Sequence, residues 1–158
     1  MCGPETCDRP RGGALVALNP PVSNRASPAS FSGDLTFHTP GSPSSQQATH
    51  VRLVPSSVET LRDWSNLNVV IHSTGDMTKD TKDCGRFREI SFASCEAVND
   101  SGVYELLLNR PLSLEVGGDG IIGRRVSVCS RPRPSNDDIV MAEGIVGFNI
   151  APPTRPSL

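Results

Sequence analysis

Glycine and proline occur along the whole chain, and this distribution most limits what the chain can fold into. The sequence has 14 glycines and 14 prolines among 158 residues. Proline removes a backbone donor and clashes inside a helix, and glycine loses more backbone entropy there than any other residue. The apolar runs between them are short and bounded by turn residues, which is typical of β-strands. The sequence therefore predicts an all-β fold.

Short strand-like segments recur at regular spacing. Residues 50–54 (HVRLV) alternate between polar and apolar types, as a half-buried strand does. We expect about eight antiparallel strands in a β-sandwich or flattened barrel. The strand-like runs are residues 13–18, 31–37, 50–54, 67–72, 89–92, 95–98, 102–108, 112–116, 121–129 and 139–150.

Three other local features are predicted between these runs. Residues 57–64 (SVETLRDW) have a serine cap and the length of one or two helical turns. Residues 109–111 (NRP) are expected to separate two strands. Asn-Asp-Ser-Gly at 99–102 and Gly-Gly-Asp-Gly at 117–120 are expected to form tight turns, because glycine adopts positive φ without steric cost; the second is interpreted as a hairpin turn.

The length suits one domain that can bury a core without disulfides or metals. We predict a flexible N-terminal tail at residues 1–12, one β-sandwich domain at residues 13–151, and a C-terminal tail at residues 152–158.

Charge and composition argue against several classes of protein. The net charge is −2, and the arginines are scattered among acids, so no basic stripe indicates nucleic-acid binding. No apolar run approaches the roughly 18 residues of a membrane span. The first residues lack the layout of a secretory signal, which predicts a protein kept in a reducing compartment.

The cysteine pattern agrees with a reducing compartment. An odd number of cysteines without a secretory signal argues against a secreted disulfide framework. Cys2 and Cys7 lie in the predicted N-terminal tail, where a soft-metal site is the alternative to a loose tail; they lack the C-x-x-C pairing of a convincing zinc site. The five cysteines are Cys2, Cys7, Cys84, Cys95 and Cys129.

No motif marks a catalytic site. No serine lies in a G-x-S-x-G context, and neither a phosphate-binding loop nor a dinucleotide fingerprint is present. We therefore expect no catalytic residues and no cofactor.

The segment VVIHSTGD at residues 69–76 places one histidine at the end of an apolar strand. His72 is either a metal or proton-transfer group, or a residue held by hydrogen bonds at a strand end. Two ligands on one face of a strand must be separated by two positions, because side chains alternate between faces. That position holds Val70, which has no donor atom. We therefore interpret His72 as a hydrogen-bonded residue rather than a metal ligand.

Several segments in register resemble the copper–zinc superoxide dismutases. H-x-x-G-D at residues 72–76 resembles the end of that family's copper-binding strand, and Cys84 resembles the cysteine that begins its zinc loop. Three further segments follow in the family's order. Gly-Val at 102–103 resembles its D-G-V segment, IIGR at 121–124 its I-I-G-R segment, and AEGIVG at 142–147 its A-C-G-V-I-G segment. The resemblance spans residues 13 to 151 and implies a Greek-key sandwich of eight strands.

The same resemblance implies that the enzyme's chemistry is lost. The three copper-histidine positions correspond to Val70, His72 and Cys129, so His72 alone remains as a vestigial ligand. Residues 85–98, in place of the zinc loop, hold no histidine or aspartate. The family's guiding arginine corresponds to Val140, and its second disulfide cysteine corresponds to Glu143. The resemblance therefore implies no catalytic residue, no bound metal and no family disulfide.

In its shortened zinc loop and lost ligands, the chain resembles the poxvirus superoxide dismutase-like proteins. This resemblance implies a non-catalytic virion component, located in virions and the host cytoplasm. The alternative is a decoy that binds the host copper chaperone for superoxide dismutase through Cys84. A residual metalloenzyme using His72 with Cys129 is the third hypothesis. The partners implied are a second copy in a homodimer, the chaperone, or other virion proteins. The chain departs from the pattern of these proteins at Glu143, at residues 1–12 and at the insertions 20–30 and 40–47.

Overall fold

The computed structural model describes residues 12–21, 30–56, 67–93, 96–98, 102–130 and 139–149, with backbone only for residues 96–98. The structure is all-β, as the sequence predicts. Apart from a single 3₁₀ turn at Thr81–Asp83, the regular elements in these residues are strands. They are β1 (Ala14–Leu18), β2 (Gly33–His38), β3 (Gln47–Pro55), β4 (Leu67–Ile71), β5 (Arg88–Ser91), β6 (Glu96–Val98), β7 (Val103–Val116), β8 (Gly120–Ile122), β9 (Arg125–Ser130) and β10 (Ile139–Phe148).

Nine of these strands follow one another in a continuous sheet. The order is β5-β4-β9-β10-β1-β2-β3-β7-β6, and every pair along it is antiparallel. β8 lies off this path and pairs with β7 in parallel. The sheet is therefore mixed, and its two ends, β5 and β6, are not paired with each other.

The sheet bends so that both of its halves bury side chains in one core. Phe37 and Leu53 come from β2 and β3, and Ile71 and Val128 come from β4 and β9; all four are fully buried in the same cluster. Strands from opposite ends of the sheet can share a core only if the sheet folds over itself. The sandwich character predicted from the alternating pattern is therefore present.

The prediction that residues 109–111 separate two strands is wrong, because β7 continues from Val103 to Val116. The pairing with β3 shifts between Leu107, opposite His50, and Leu112, opposite Ala48. β7 thus has four residues where β3 has one. This bulge accommodates Pro111 without ending the strand, since proline is tolerated where no ladder donor is needed.

Two predictions near residue 120 also need correction. Residues 117–119 do form a tight turn, with Gly117 and Gly118 at positive φ, but the strand that follows pairs in parallel with β7, so the turn is not that of an antiparallel hairpin. The predicted strand at 121–129 is two strands, β8 and β9. Gly123 adopts φ +86° between them, a conformation that breaks the strand and that glycine reaches readily.

The remaining strand predictions agree with the structure to within a few residues. The predicted helical turns at 57–64 lie outside the described residues, as do both termini beyond residues 12 and 149. Within the described residues, no helix has the length and apolar composition needed to cross a membrane.

Candidate functional site

The face of β4, β9 and β10 that points away from the core carries polar side chains. Val126 and Val128 of β9 belong to the core cluster. Side chains alternate along a strand, so Arg125, Ser127 and Cys129 project from the opposite face. All three are nonetheless buried. The chain therefore has a second buried layer outside its hydrophobic core.

Neighbouring strands bring the residues predicted to be a lost copper site onto this same face. Val70 of β4 lies opposite Ser127 of β9, and Glu143 of β10 lies opposite Ser127 on the other side. His72 follows Val70 by two positions and is 4% exposed. Cys129 is one alternation further along β9, opposite Asn68. Val70, His72 and Cys129, which span 59 positions of the sequence, thus lie on one face of the sheet.

We call His72, Cys84, Arg125, Ser127 and Glu143 the polar cluster. The loop after β4 covers it. Two backbone hydrogen bonds fix the start of this loop against β9: His72 N–H donates to the Arg125 carbonyl (2.8 Å) and Arg125 N–H donates to the Thr74 carbonyl (3.0 Å). Gly75 packs so closely on the chain that a Cβ there would lie 2.1 Å from the Gly123 carbonyl oxygen. A side chain at residue 75 would therefore push the loop away from the cluster.

Both ring nitrogens of His72 are engaged. Nδ1 lies 2.9 Å from the Gly85 carbonyl oxygen, which can only accept, so Nδ1 carries the proton. In the neutral imidazole, Nε2 then accepts from the Ser127 hydroxyl at 2.8 Å. Burial lowers the pKa of His72, although the hydrogen bond to Gly85 opposes this, and the positive charge of Arg125 lowers it further. His72 is thus a neutral residue with a fixed tautomer.

Arg125 connects the remaining members of the cluster. Its Nη2 donates to Glu143 Oε2 at 2.5 Å, and the side chains of this ion pair are 6% and 7% exposed. Its Nη1 donates to the Lys79 carbonyl at 2.7 Å and lies 3.5 Å from Cys84 Sγ. Burial disfavours the charged guanidinium, but the hydrogen bond and charge of Glu143 outweigh it and raise the pKa of Arg125. One side chain therefore ties the loop to β10.

The thiol of Cys84, the predicted partner-binding residue, is not at the surface. Cys84 is a free cysteine and is 1% exposed. Its Sγ donates weakly to the Asp76 carbonyl at 3.4 Å. Covalent contact with another protein through this sulfur would require the loop at residues 73–85 to open.

Sequence reasoning did not single out Arg125 or Ser127, although both organise the cluster. Arg124, the arginine of the quoted IIGR segment, has a different role. It donates to the carbonyls of Ser73 (2.8 Å), Gly118 (2.7 Å) and Gly120 (2.7 Å) and stacks over the Phe87 ring at 4.0 Å. Nothing in the sequence marks Arg125, because a charged residue that alternates with core valines is expected on the solvent face of a strand.

The residues at this surface do not fit a copper ion. Val70 offers no donor atom, the Nε2 of His72 accepts a hydrogen bond from Ser127, and the carboxylate of Glu143 is held by Arg125. Among the described residues, no group of three or more histidine, cysteine, aspartate or glutamate side chains is arranged to hold a metal.

A second buried histidine lies in the other half of the sheet. His38 of β2 is 6% exposed, and its Nε2 lies 2.9 Å from Glu105 Oε1 of β7. Glu105 favours the protonated ring, but burial has the larger effect, so the pKa of His38 is lowered. The neutral ring therefore donates Nε2–H to the carboxylate.

The sequence matches no protein-family model and no curated protein sequence.

The ion pair between Arg125 and Glu143 generates a stability prediction. Glu143→Ala leaves a buried guanidinium without its counter-charge and should lower the free energy of unfolding by about 3–5 kcal/mol. The double variant Arg125→Met/Glu143→Leu should lose less than Glu143→Ala alone, because it removes both charges. Urea denaturation measures both effects.

The exposed pair Arg86–Glu89, 3.0 Å apart with side chains 55% and 36% exposed, is the matched control. Glu89→Ala should cost at most about 1 kcal/mol, since solvent screens this pair. Equal losses for Glu143→Ala and Glu89→Ala would contradict the role given to Arg125.

The two buried histidines generate a pH prediction. Their pKa values are lower in the folded than in the unfolded chain, so the unfolded chain takes up protons first as the pH falls. The stability they provide is complete above about pH 6.5 and declines below it, by up to about 1.4 kcal/mol per pH unit for each histidine. Urea denaturation between pH 7.5 and 5.5 should show this slope. The slope of the unfolding free energy against pH should decrease by the contribution of one histidine in His72→Gln and by the same amount in His38→Gln. An unchanged slope in both variants would contradict the lowered pKa values of these histidines.

Proposed function

We propose that this chain is a non-catalytic protein of the superoxide dismutase type, with a Greek-key sandwich in which the copper site has become a packed polar cluster. The observation that carries this is His72. Its Nδ1 donates to a backbone carbonyl, as the second nitrogen of a metal-bound histidine commonly does, yet its Nε2 is occupied by Ser127 and the neighbouring strand position is Val70. The residue keeps the setting of a ligand without a metal to bind.

A second observation supports the same fold. The two positions that correspond to the family's disulfide cysteines are Cys84 and Glu143, and both contact the guanidinium of Arg125. Folding thus brings two residues that are 59 positions apart in the sequence into contact with the same side chain. The ion pair takes over the task of a covalent link, which is to hold the loop against β10.

We further propose that the protein acts as a structural component of a virus particle. The support is the resemblance to the poxvirus superoxide dismutase-like proteins in the shortened loop at residues 85–98 and the lost ligands at Val70 and Cys129. A protein that no longer needs a mobile metal site can bury that surface, as the polar cluster does.

The alternative, a decoy for the host copper chaperone, has less support. It requires Cys84 to form a transient disulfide with the chaperone, and the thiol is 1% exposed beneath residues 76–83. The remaining metalloenzyme hypothesis requires His72 to exchange Ser127 for a metal and to be joined by Cys129.

Copper binding tests the non-catalytic assignment. After incubation with Cu²⁺ and gel filtration, the native chain should retain well under 0.1 equivalent per chain (an order-of-magnitude expectation for a site with one imidazole) and should not dismutate superoxide. Val70→His/Cys129→His should place three imidazoles on one face and retain about one equivalent. Stoichiometric copper with dismutation in the native chain would overturn the proposal; no gain in the variant would contradict the correspondence of the positions.

Particle composition tests the second part. Purified particles from infected cells should contain the chain in amounts comparable with known structural proteins, protected from added protease until the particle is opened. Two results together would favour the decoy instead. The chain would be absent from particles, and the host chaperone would co-purify with the native chain but not with Cys84→Ser.

A further inference from the structure

The two ends of the sheet leave an open seam. β5 pairs with β4 alone among the described strands. At the other end, the pairing of β6 with β7 stops at Glu105, so the described structure gives residues 106–110 of β7 no strand partner on that side. β5 and β6 are separated by only four residues of sequence, 92–95. The ends of the sheet are therefore close together at one point, and beyond it they pair with no strand that the structure describes.

A cavity of about 400 Å³ lies in this seam, between β5 and the bulged part of β7. Ile90, Leu106 and Leu108 line it and pack against the hydrophobic core, and Leu112, 3% exposed, also lines it. Leu107 also lines it and is 65% exposed. The size is that of a small binding pocket, and the lining combines apolar side chains with polar and charged ones.

The cavity is also cationic. Arg88 and Arg110 both line it. In the part of the chain that the structure describes, the contact made by the Arg88 guanidinium is with the Phe87 ring, 5.8 Å away, and neither arginine is within salt-bridge distance of a carboxylate. The one acidic residue in the lining, Glu89, is 3.0 Å from Arg86. Guanidinium groups in such a setting favour a carboxylate ligand.

The strand edges distinguish a peptide from a small molecule. Phe92 N–H donates to the Leu67 carbonyl, so residues at even positions of β5 direct their backbone groups to β4, and Ser91 directs its N–H and C=O into the seam. Strand edges of this kind are satisfied by another extended chain. A small amphipathic anion would pair with the arginines and leave the backbone edges without partners.

We propose that the seam binds an extended acidic segment of a partner protein, which adds to β5 as a strand. β5 has four residues, so the paired segment spans about 13 Å. Its carboxylates pair with Arg88 and Arg110, and its apolar side chains pack on Ile90, Leu106 and Leu108. This site lies on β5 and β7, apart from the polar cluster, and does not depend on the function proposed above.

The test uses the full chain and a fluorescent, end-capped seven-residue peptide of alternating glutamate and valine. Fluorescence anisotropy should show saturable binding with a Kd below about 1 mM. The same peptide with lysine in place of glutamate, and the glutamate peptide N-methylated at alternate residues, should each bind at least tenfold more weakly.

Three variants localise the site. Arg110→Glu, at an exposed position, and Ser91→Pro, which removes the edge donor without removing a bond to β4, should each weaken binding at least tenfold. Lys82→Glu, which makes the same charge change away from the cavity, should alter binding less than twofold. Amide hydrogen exchange of the native chain should show peptide-dependent protection in residues 88–91 and 106–110. If Ser91→Pro does not fold, hydrogen exchange of the native chain tests the role of β5 in its place.

Three results would overturn the proposal. They are the absence of saturable binding up to 1 mM, equal binding of the N-methylated peptide, and protection that maps to another surface. If dodecanoate binds and displaces the peptide while the N-methylated peptide binds equally well, the cavity is instead a site for small amphipathic anions.

Discussion

The polar cluster depends on one interaction, the buried ion pair between the guanidinium of Arg125 and the carboxylate of Glu143. The guanidinium lies on the face of β9 that points away from the hydrophobic core, and it is paired with Glu143 of β10 while also bonding to the Lys79 carbonyl. Two charges are removed from water here, so neither can be lost alone without leaving the other uncompensated. The loop at residues 73–85, β9 and β10 are therefore held as one unit, and His72 owes its burial to that unit.

The polar cluster explains why a histidine at the end of a strand need not be a metal ligand. The backbone carbonyl of Gly85 fixes the proton on Nδ1, and the hydroxyl of Ser127 then satisfies Nε2. Burial favours the neutral ring, and the neighbouring positive charge adds to that preference. Both ring nitrogens of His72 are therefore satisfied by hydrogen bonds within the chain.

Much of the fold could be predicted from the sequence, because alternation and turn residues report directly on strands. The errors fall where a tertiary contact overrides the local pattern. Pro111 looks like a strand end, but the bulge opposite Ala48 and His50 carries it inside β7, and Gly123 breaks an alternating run because the chain must turn for Arg124 to reach three carbonyls. For the site, the resemblance predicts that Val70, His72 and Cys129 share a face. The role of Arg125 could not be predicted, because its partners are backbone carbonyls and a carboxylate brought in by folding.

The central claim is that Arg125 and Glu143 hold the loop at residues 73–85 against β10. The most direct measurement is mass spectrometry of Arg125→Ala/Glu143→Cys after mild oxidation, with Cys84→Ser added to the same background as the control. We expect one intramolecular disulfide between Cys84 and the new cysteine, because both positions contact the guanidinium that Arg125→Ala removes. The loop at residues 73–85 must then close onto β10 until the two Cα atoms are about 4.4–6.8 Å apart, the separation that a disulfide requires. Full alkylation of both thiols in a folded, oxidised sample would contradict the claim.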